Sequence, residues 1–193
     1  MNTTIRNMAA ILMGLPAVAM AAETTARDRN VNQQTRIEQG LERGTLNVRE
    51  AARLENMQSN VERMQAHAAR DGLVTGKEAA RIDQAQDAAS NSIYTQKHDA
   101  QRGNPNTASS QRMQASVERN INQQTRIRNG VADGSMTLHE ASRMQGQQAH
   151  GNRVLARTGA DGHLGRYEQQ RVASIDDRQS RHIWRQRHDA QGK

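Results

Sequence analysis

The chain has 193 residues, with 27 Lys and Arg against 20 Asp and Glu, a formal net charge of +7, no Cys and no Phe, and one Trp and two Tyr as its aromatics. Disulfides and thiolate chemistry are excluded, and so few large apolar side chains leave little from which to build a dry pocket that could shift a pKa. The polarity approaches that of disordered chains, but the wealth of Ala, Gln, Arg and Glu and the scarcity of Pro favour helix.

The N-terminus carries Arg6 and then an apolar run from Met8 to Met20 that ends in Ala19-Met20-Ala21. A basic start, a short apolar core and small residues at the cleavage positions describe a secretory signal over residues 1–21. The run is shorter than the roughly 20 apolar residues a membrane-spanning helix needs. The expected product is therefore an exported chain that starts near Ala22 and works in the periplasm or outside the cell.

Beyond the signal the sequence is duplicated. Residues 27–101 align without gaps on 117–191, and 28 of the 75 pairs are identical. Asn32-Gln33-Gln34-Thr35-Arg36-Ile37 recurs as Asn122-Gln123-Gln124-Thr125-Arg126-Ile127, and His98-Asp99-Ala100-Gln101 recurs as His188-Asp189-Ala190-Gln191. A fixed offset means one supersecondary unit used twice. The fold class expected is all-α, with two tandem three-helix modules, 27–101 and 117–191, joined by a linker over 102–116.

In the first copy the first helix is weakly patterned: Val31, Ile37 and Leu41 sit on an otherwise polar segment near 28–40. Leu54, Met57, Val61, Met64 and Ala68 then step by three and four, as do Ile82, Ala85, Ala89, Ile93 and Gln96. The second copy places its helices near 118–130, 137–157 and 166–190. Gly103, Asn104, Pro105 and Asn106 mark the linker, with helix an alternative from Gln111 onward. Tyr94 and Trp184 are expected to anchor the sparse core, each four residues before the recurring His98 or His188.

The four turns share a Gly, an apolar residue two later and a Glu six later: Gly44, Leu46, Glu50; Gly72, Val74, Glu78; Gly134, Met136, Glu140; and Gly162, Leu164, Glu168. Asn47, Thr75 and Thr137 stand three residues before their Glu, which predicts capping boxes. The fourth turn has Gly165 there and predicts a weaker cap.

This spacing also resembles the second half of an EF-hand loop, with Gly at position 6, an apolar residue at 8 and Glu at 12. The resemblance implies a divalent cation such as calcium as cofactor. Its ligands would include Asn129, Asp133, Thr137 and Glu140 in the third loop, Asp71, Thr75 and Glu78 in the second, and Asp161 and Glu168 in the fourth. The sequence departs from the pattern at position 1, occupied by Gln39, His67, Asn129 and Arg157, and at position 3, occupied by Leu41, Ala69, Val131 and Gly159. Capping turns and cation loops both remain open.

The first copy has 11 basic and 11 acidic residues, and the second has 12 basic and 8 acidic, so the second carries the excess. Its last helix holds Arg166, Arg171, Arg178, Arg181, Trp184, Arg185, Arg187 and His188. Guanidinium forks suit carboxylate and phosphate, so this helix is expected to meet an acidic envelope protein or an anionic polymer. The alternative is that Glu168, Asp176 and Asp177 neutralise these arginines within the helix. Export makes nucleic acid an unexpected partner. There is no Gly-x-Ser-x-Gly, His-Glu-x-x-His or phosphate-loop motif, and no enzymatic activity is expected. The function expected is that of a non-catalytic binding or adaptor protein, with cation binding as the alternative.

Overall fold

The computed structural model describes residues 15–189, and the side chains of residues 25–189. Residues 1–14 of the expected export signal lie outside the described residues. All regular structure among the described residues is helical: α1 (Leu15–Glu42), α2 (Val48–Ala68), α3 (Gly76–His98), α4 (Ala108–Ala132), α5 (Leu138–Thr158) and α6 (Arg166–His188). None of them is long and apolar enough to cross a membrane.

The turns form as their residue types dictate. Gly44, Gly72, Gly134 and Gly162 take φ of 67°, 84°, 74° and 91°, the left-handed region that a side chain disfavours. After the turns, three helices open on complete capping boxes. The Glu50 amide donates to Asn47 Oδ1 at 3.0 Å while Glu50 Oε2 accepts from the Asn47 amide at 2.9 Å. Thr75 with Glu78 and Thr137 with Glu140 repeat the arrangement. Gly165 has no side chain to offer, so only the return bond forms, from the Gly165 amide to Glu168 Oε2 at 2.8 Å. Thr137→Ala is accordingly expected to lower stability by about 1 kcal/mol, read from denaturant midpoints, with the slope unchanged.

Two expected boundaries shift. The first helix of each copy starts ten or more residues before its expected position, at Leu15 rather than near 28 and at Ala108 rather than near 118. In the segment read as linker, Thr107 accepts from the Ser110 amide at 3.1 Å and starts α4 at Ala108, so residues 108–116 are helical. The remaining connection is pinned to the first turn by a bond from the Gly103 amide to the Gly44 carbonyl at 2.9 Å.

Among the described residues the two halves share the largest of three apolar clusters, while a smaller one lies within each half. α2 and α5 make the most extensive contact and α1 and α4 the next. Ile37, Leu41, Leu54 and Ile93 from the first half pack in the same apolar cluster as Met113, Val117, Leu155 and Val172 from the second. α2 and α5 run antiparallel with little between their backbones: Ser59 donates to the Ala149 carbonyl and Ser142 to the Ala66 carbonyl, both at 2.8 Å. Only small residues permit that approach.

The aromatic anchors are a correction. Tyr94 is 60% exposed, Trp184 56% and Tyr167 87%, so none of them builds the core. Tyr94 instead stacks on His98 at a centroid distance of 4.2 Å, and Trp184 on His188 at 4.5 Å. Each imidazole Nδ1 lies 2.7 Å from the carbonyl of that aromatic, which places the donor hydrogen on Nδ1.

Candidate functional site

The loop residues singled out for cation binding each have a local partner. Glu140 Oε2 accepts from the amide of Thr137 and, at 2.7 Å, from its hydroxyl. Asp133 accepts from the Ser135 amide at 3.0 Å and from Arg187 at 2.7 Å, contacts that hold its carboxyl below the usual carboxylate range, with the Ser135 bonds as the main cause. Asn129 Oδ1 accepts from Arg128 at 2.9 Å. Asp71 closes its turn by accepting from the Leu73 amide at 3.0 Å, and Asp161 does the same with the His163 amide at 2.8 Å. The bonds to Thr75 hold the Glu78 carboxyl below its ordinary value. Among the described residues, no group of three or more His, Cys, Asp or Glu side chains is placed to hold a metal ion. A cation in the third loop would compete with Thr137 for Glu140 and with Arg187 for Asp133.

The arginine-bearing helix behaves differently. Arg166, Arg171, Arg178, Arg181, Trp184 and Arg185 are exposed, while Arg187 is half-buried against Asp133. The three carboxylates that could have neutralised this helix are engaged elsewhere. Glu168 caps its N-terminus, Asp177 pairs with Arg119 of α4 at 2.6 Å, and Asp176 is buried. Arg178, Arg181 and Arg185 have no carboxylate within ion-pair distance among the described residues. On α3 the equivalent positions are Ala88, Asn91 and Thr95, so the charge belongs to the second half alone.

Sequence reasoning missed a polar layer inside the bundle. Glu55 and Glu62 of α2 are fully buried. Glu55 Oε2 accepts from Gln34 of α1 at 3.1 Å and from Asn120 of α4 at 3.4 Å. Glu62 accepts from Gln124 of α4 at 2.6 Å and from Asn152 of α5 at 2.8 and 3.0 Å. The chain of amides continues outward. Gln65 accepts from Asn30 and Gln145, Gln148 donates to Asn120, and Gln179 donates to Gln148. Burial disfavours the charged carboxylate and pushes Glu55 up to about 7 and Glu62 well above its ordinary value. Burial raises Asp176 of α6 to about 7 as well, against the opposing pull of Arg119. The one sequence signal for this layer is the recurring Asn-Gln-Gln run: Gln33, Gln34, Gln123 and Gln124 are all buried. Gln33 donates to the Gln86 carbonyl and Ser90, and Gln123 repeats those bonds with the Asp176 carbonyl and Ser180.

No protein-family model, curated protein or solved structure matches this chain.

Proposed function

We propose that this is an exported, non-catalytic helical binding protein that engages an acidic envelope partner through the arginine-rich face of α6. On this reading residues 1–21 direct export, and the chain is two tandem three-helix modules of which the first is chiefly structural. The turns, for all their EF-hand-like spacing, act as capped helix starts. A single observation carries the reading: the acidic residues of α6 are engaged by the cap, by α4 and by the interior, which leaves Arg178, Arg181 and Arg185 without a counter-charge among the described residues.

Exposed charges attract a partner through solvent, and the screening length falls from about 30 Å at 0.01 M salt to about 8 Å at 0.15 M. Binding of the mature chain to immobilised poly-glutamate is expected to weaken steeply across that range. The triple variant Arg178→Ala, Arg181→Ala, Arg185→Ala should bind far less at low salt, with its helical circular dichroism intact. Retention that ignores both salt and the triple variant would sink the reading.

A further inference from the structure

One cleft departs from the rest of the bundle surface. Between α5 and α6 runs a groove of about 470 Å³, with Arg143 and His150 on the α5 wall, Ile175, Arg178 and His182 on the α6 wall, and a mainly apolar lining between the charged tips. It continues past Arg185 into an adjoining hollow of about 230 Å³ that Arg143 and His182 also line. The groove walls are poor in negative charge. Among the described residues no Asp or Glu lines the groove or the adjoining hollow; Asp176 and Asp177, just before Arg178 on α6, are respectively buried and paired with Arg119. The polar partners of the wall residues are neutral amides: Arg143 donates to Gln186 Oε1 at 3.2 Å, and His182 Nδ1 lies 2.9 Å from Gln147 Oε1. These contacts orient the side chains without cancelling charge.

The first half provides an internal comparison. Arg143 has its counterpart in Arg53, but His150, Arg178, His182 and Arg185 correspond to Asn60, Ala88, Ser92 and Thr95. One copy of the same helix pair thus carries a guanidinium-and-imidazole lining that the other lacks.

The spacing suits a helical occupant. Arg143 and His150 are two turns apart on α5, and Arg178, His182 and Arg185 follow an i, i+4, i+7 pattern on α6. Two turns rise about 10.5 Å, the interval at which a third helix presents side chains from one face. A plain polyanion would match the charged tips but not the apolar lining. A helix with acidic residues flanking an apolar strip matches both.

We propose that the groove between α5 and α6 is the docking site for an acidic amphipathic helix of a partner protein. Its carboxylates meet Arg143 and Arg178 on opposite walls, and its apolar strip covers Ile175. This deepens the acidic-partner reading and rests on it.

The test uses the mature chain and a fluorescein-labelled synthetic helix with Glu on two flanks of a Leu strip. A scrambled peptide of the same composition serves as control, and inorganic polyphosphate is titrated in parallel. Arg178→Ala with His182→Ser installs the residues that α3 already carries. It is expected to weaken the helical peptide roughly tenfold, the scale of two lost exposed contacts. The charge reversal Arg178→Glu should do at least as much. Arg53→Ala with Arg81→Ala, exposed on the first half and outside the groove, should leave the affinity nearly unchanged, and the scrambled peptide should bind more weakly. Equal weakening by the groove and control variants, or equal binding of both peptides, would overturn the groove and leave the acidic-partner reading standing. Tight polyphosphate binding without peptide binding would overturn the helical occupant alone. If neither probe binds, both readings fall.

Discussion

Raising the pH from about 5 to about 8 is expected to destabilise this protein, against the usual trend in which carboxylates favour the fold once ionised. Glu55 and Glu62 sit inside the bundle, faced by Gln34 from α1, Asn120 and Gln124 from α4 and Asn152 from α5, with no cation bonded to either among the described residues. Asp176 from α6 adds repulsion to Glu55. Gln34 Oε1, Glu55 Oε1, Gln124 Oε1 and Asn152 Oδ1 are buried without a donor, and a proton on each carboxyl supplies one. Because these carboxyls hold their protons to a higher pH in the fold than in the unfolded chain, the folded state binds more protons between the two values. Stability is therefore greatest near and below the unfolded value of 4.5. It falls as pH rises, and the full cost for Glu55 is in place above about 7. That interval corresponds to about 3 kcal/mol for Glu55 alone. The lowered carboxyls of Glu78 and Asp133 act in the opposite sense, but only at more acidic pH and at exposed positions where the effect is small. Denaturant midpoints across this range should decline with pH. Glu55→Gln should flatten the decline, with a gain at pH 8 and little change near the acidic limit. A midpoint that climbs from pH 5 to pH 8 would refute the buried-acid account.

Glu62→Ala is expected to be among the most damaging single changes, at about 3–5 kcal/mol at pH 6. Glu62 accepts from Gln124 and Asn152, so truncation strands two buried amide donors, and each orphan costs about 1–3 kcal/mol. A cavity in the α2/α5 contact adds to that. Glu62→Gln keeps the volume and an acceptor, and should cost far less. The informative quantity is the gap between the two variants in urea unfolding. If they lose stability equally, the network contributes little and the site is held by packing alone.

Much of the helical layout is legible in the chain because its signals are local. Asn47, Thr75 and Thr137 each announce a helix start, and the glycines before them adopt the left-handed conformation a reversal needs. Leu54, Val61, Ile82 and Ile93 fall on buried faces as their spacing requires. The starts of α1 and α4 are not legible: α1 begins at Leu15 inside the apolar run read as an export signal, and the first turns of α4 are Ala, Ser, Gln and Arg with no apolar stripe to mark them. The polar interior is hidden for a related reason. Gln, Asn and Glu count as surface residues by composition; the recurrence of Asn30, Gln33 and Gln34 as Asn120, Gln123 and Gln124 hints at burial, but Glu55 and Glu62, replaced by Gln145 and Asn152 in the second half, carry no such hint. The aromatics mislead because a large side chain is not thereby a deep one. Where Ser59 and Ser142 reach the facing backbone, no ring fits, and Tyr94 and Trp184 lie outside. Of the candidate site, the arginines of α6 can be named from the sequence, but their lack of counter-charge cannot. It depends on Asp177 reaching across to Arg119.

The contact between α2 and α5 has a consequence for how the halves came to differ. Ser59 meets Ala149 and Glu62 meets Asn152, and each pair is separated by 90 residues, the offset of the duplication. Such positions lie near a pseudo-twofold axis, where in a homodimer of one half every residue would face its own twin. A glutamate there would confront a second glutamate, and an asparagine a second asparagine. Joining both copies in one polypeptide lifts that restriction: one side can furnish the acceptor and the other the donor.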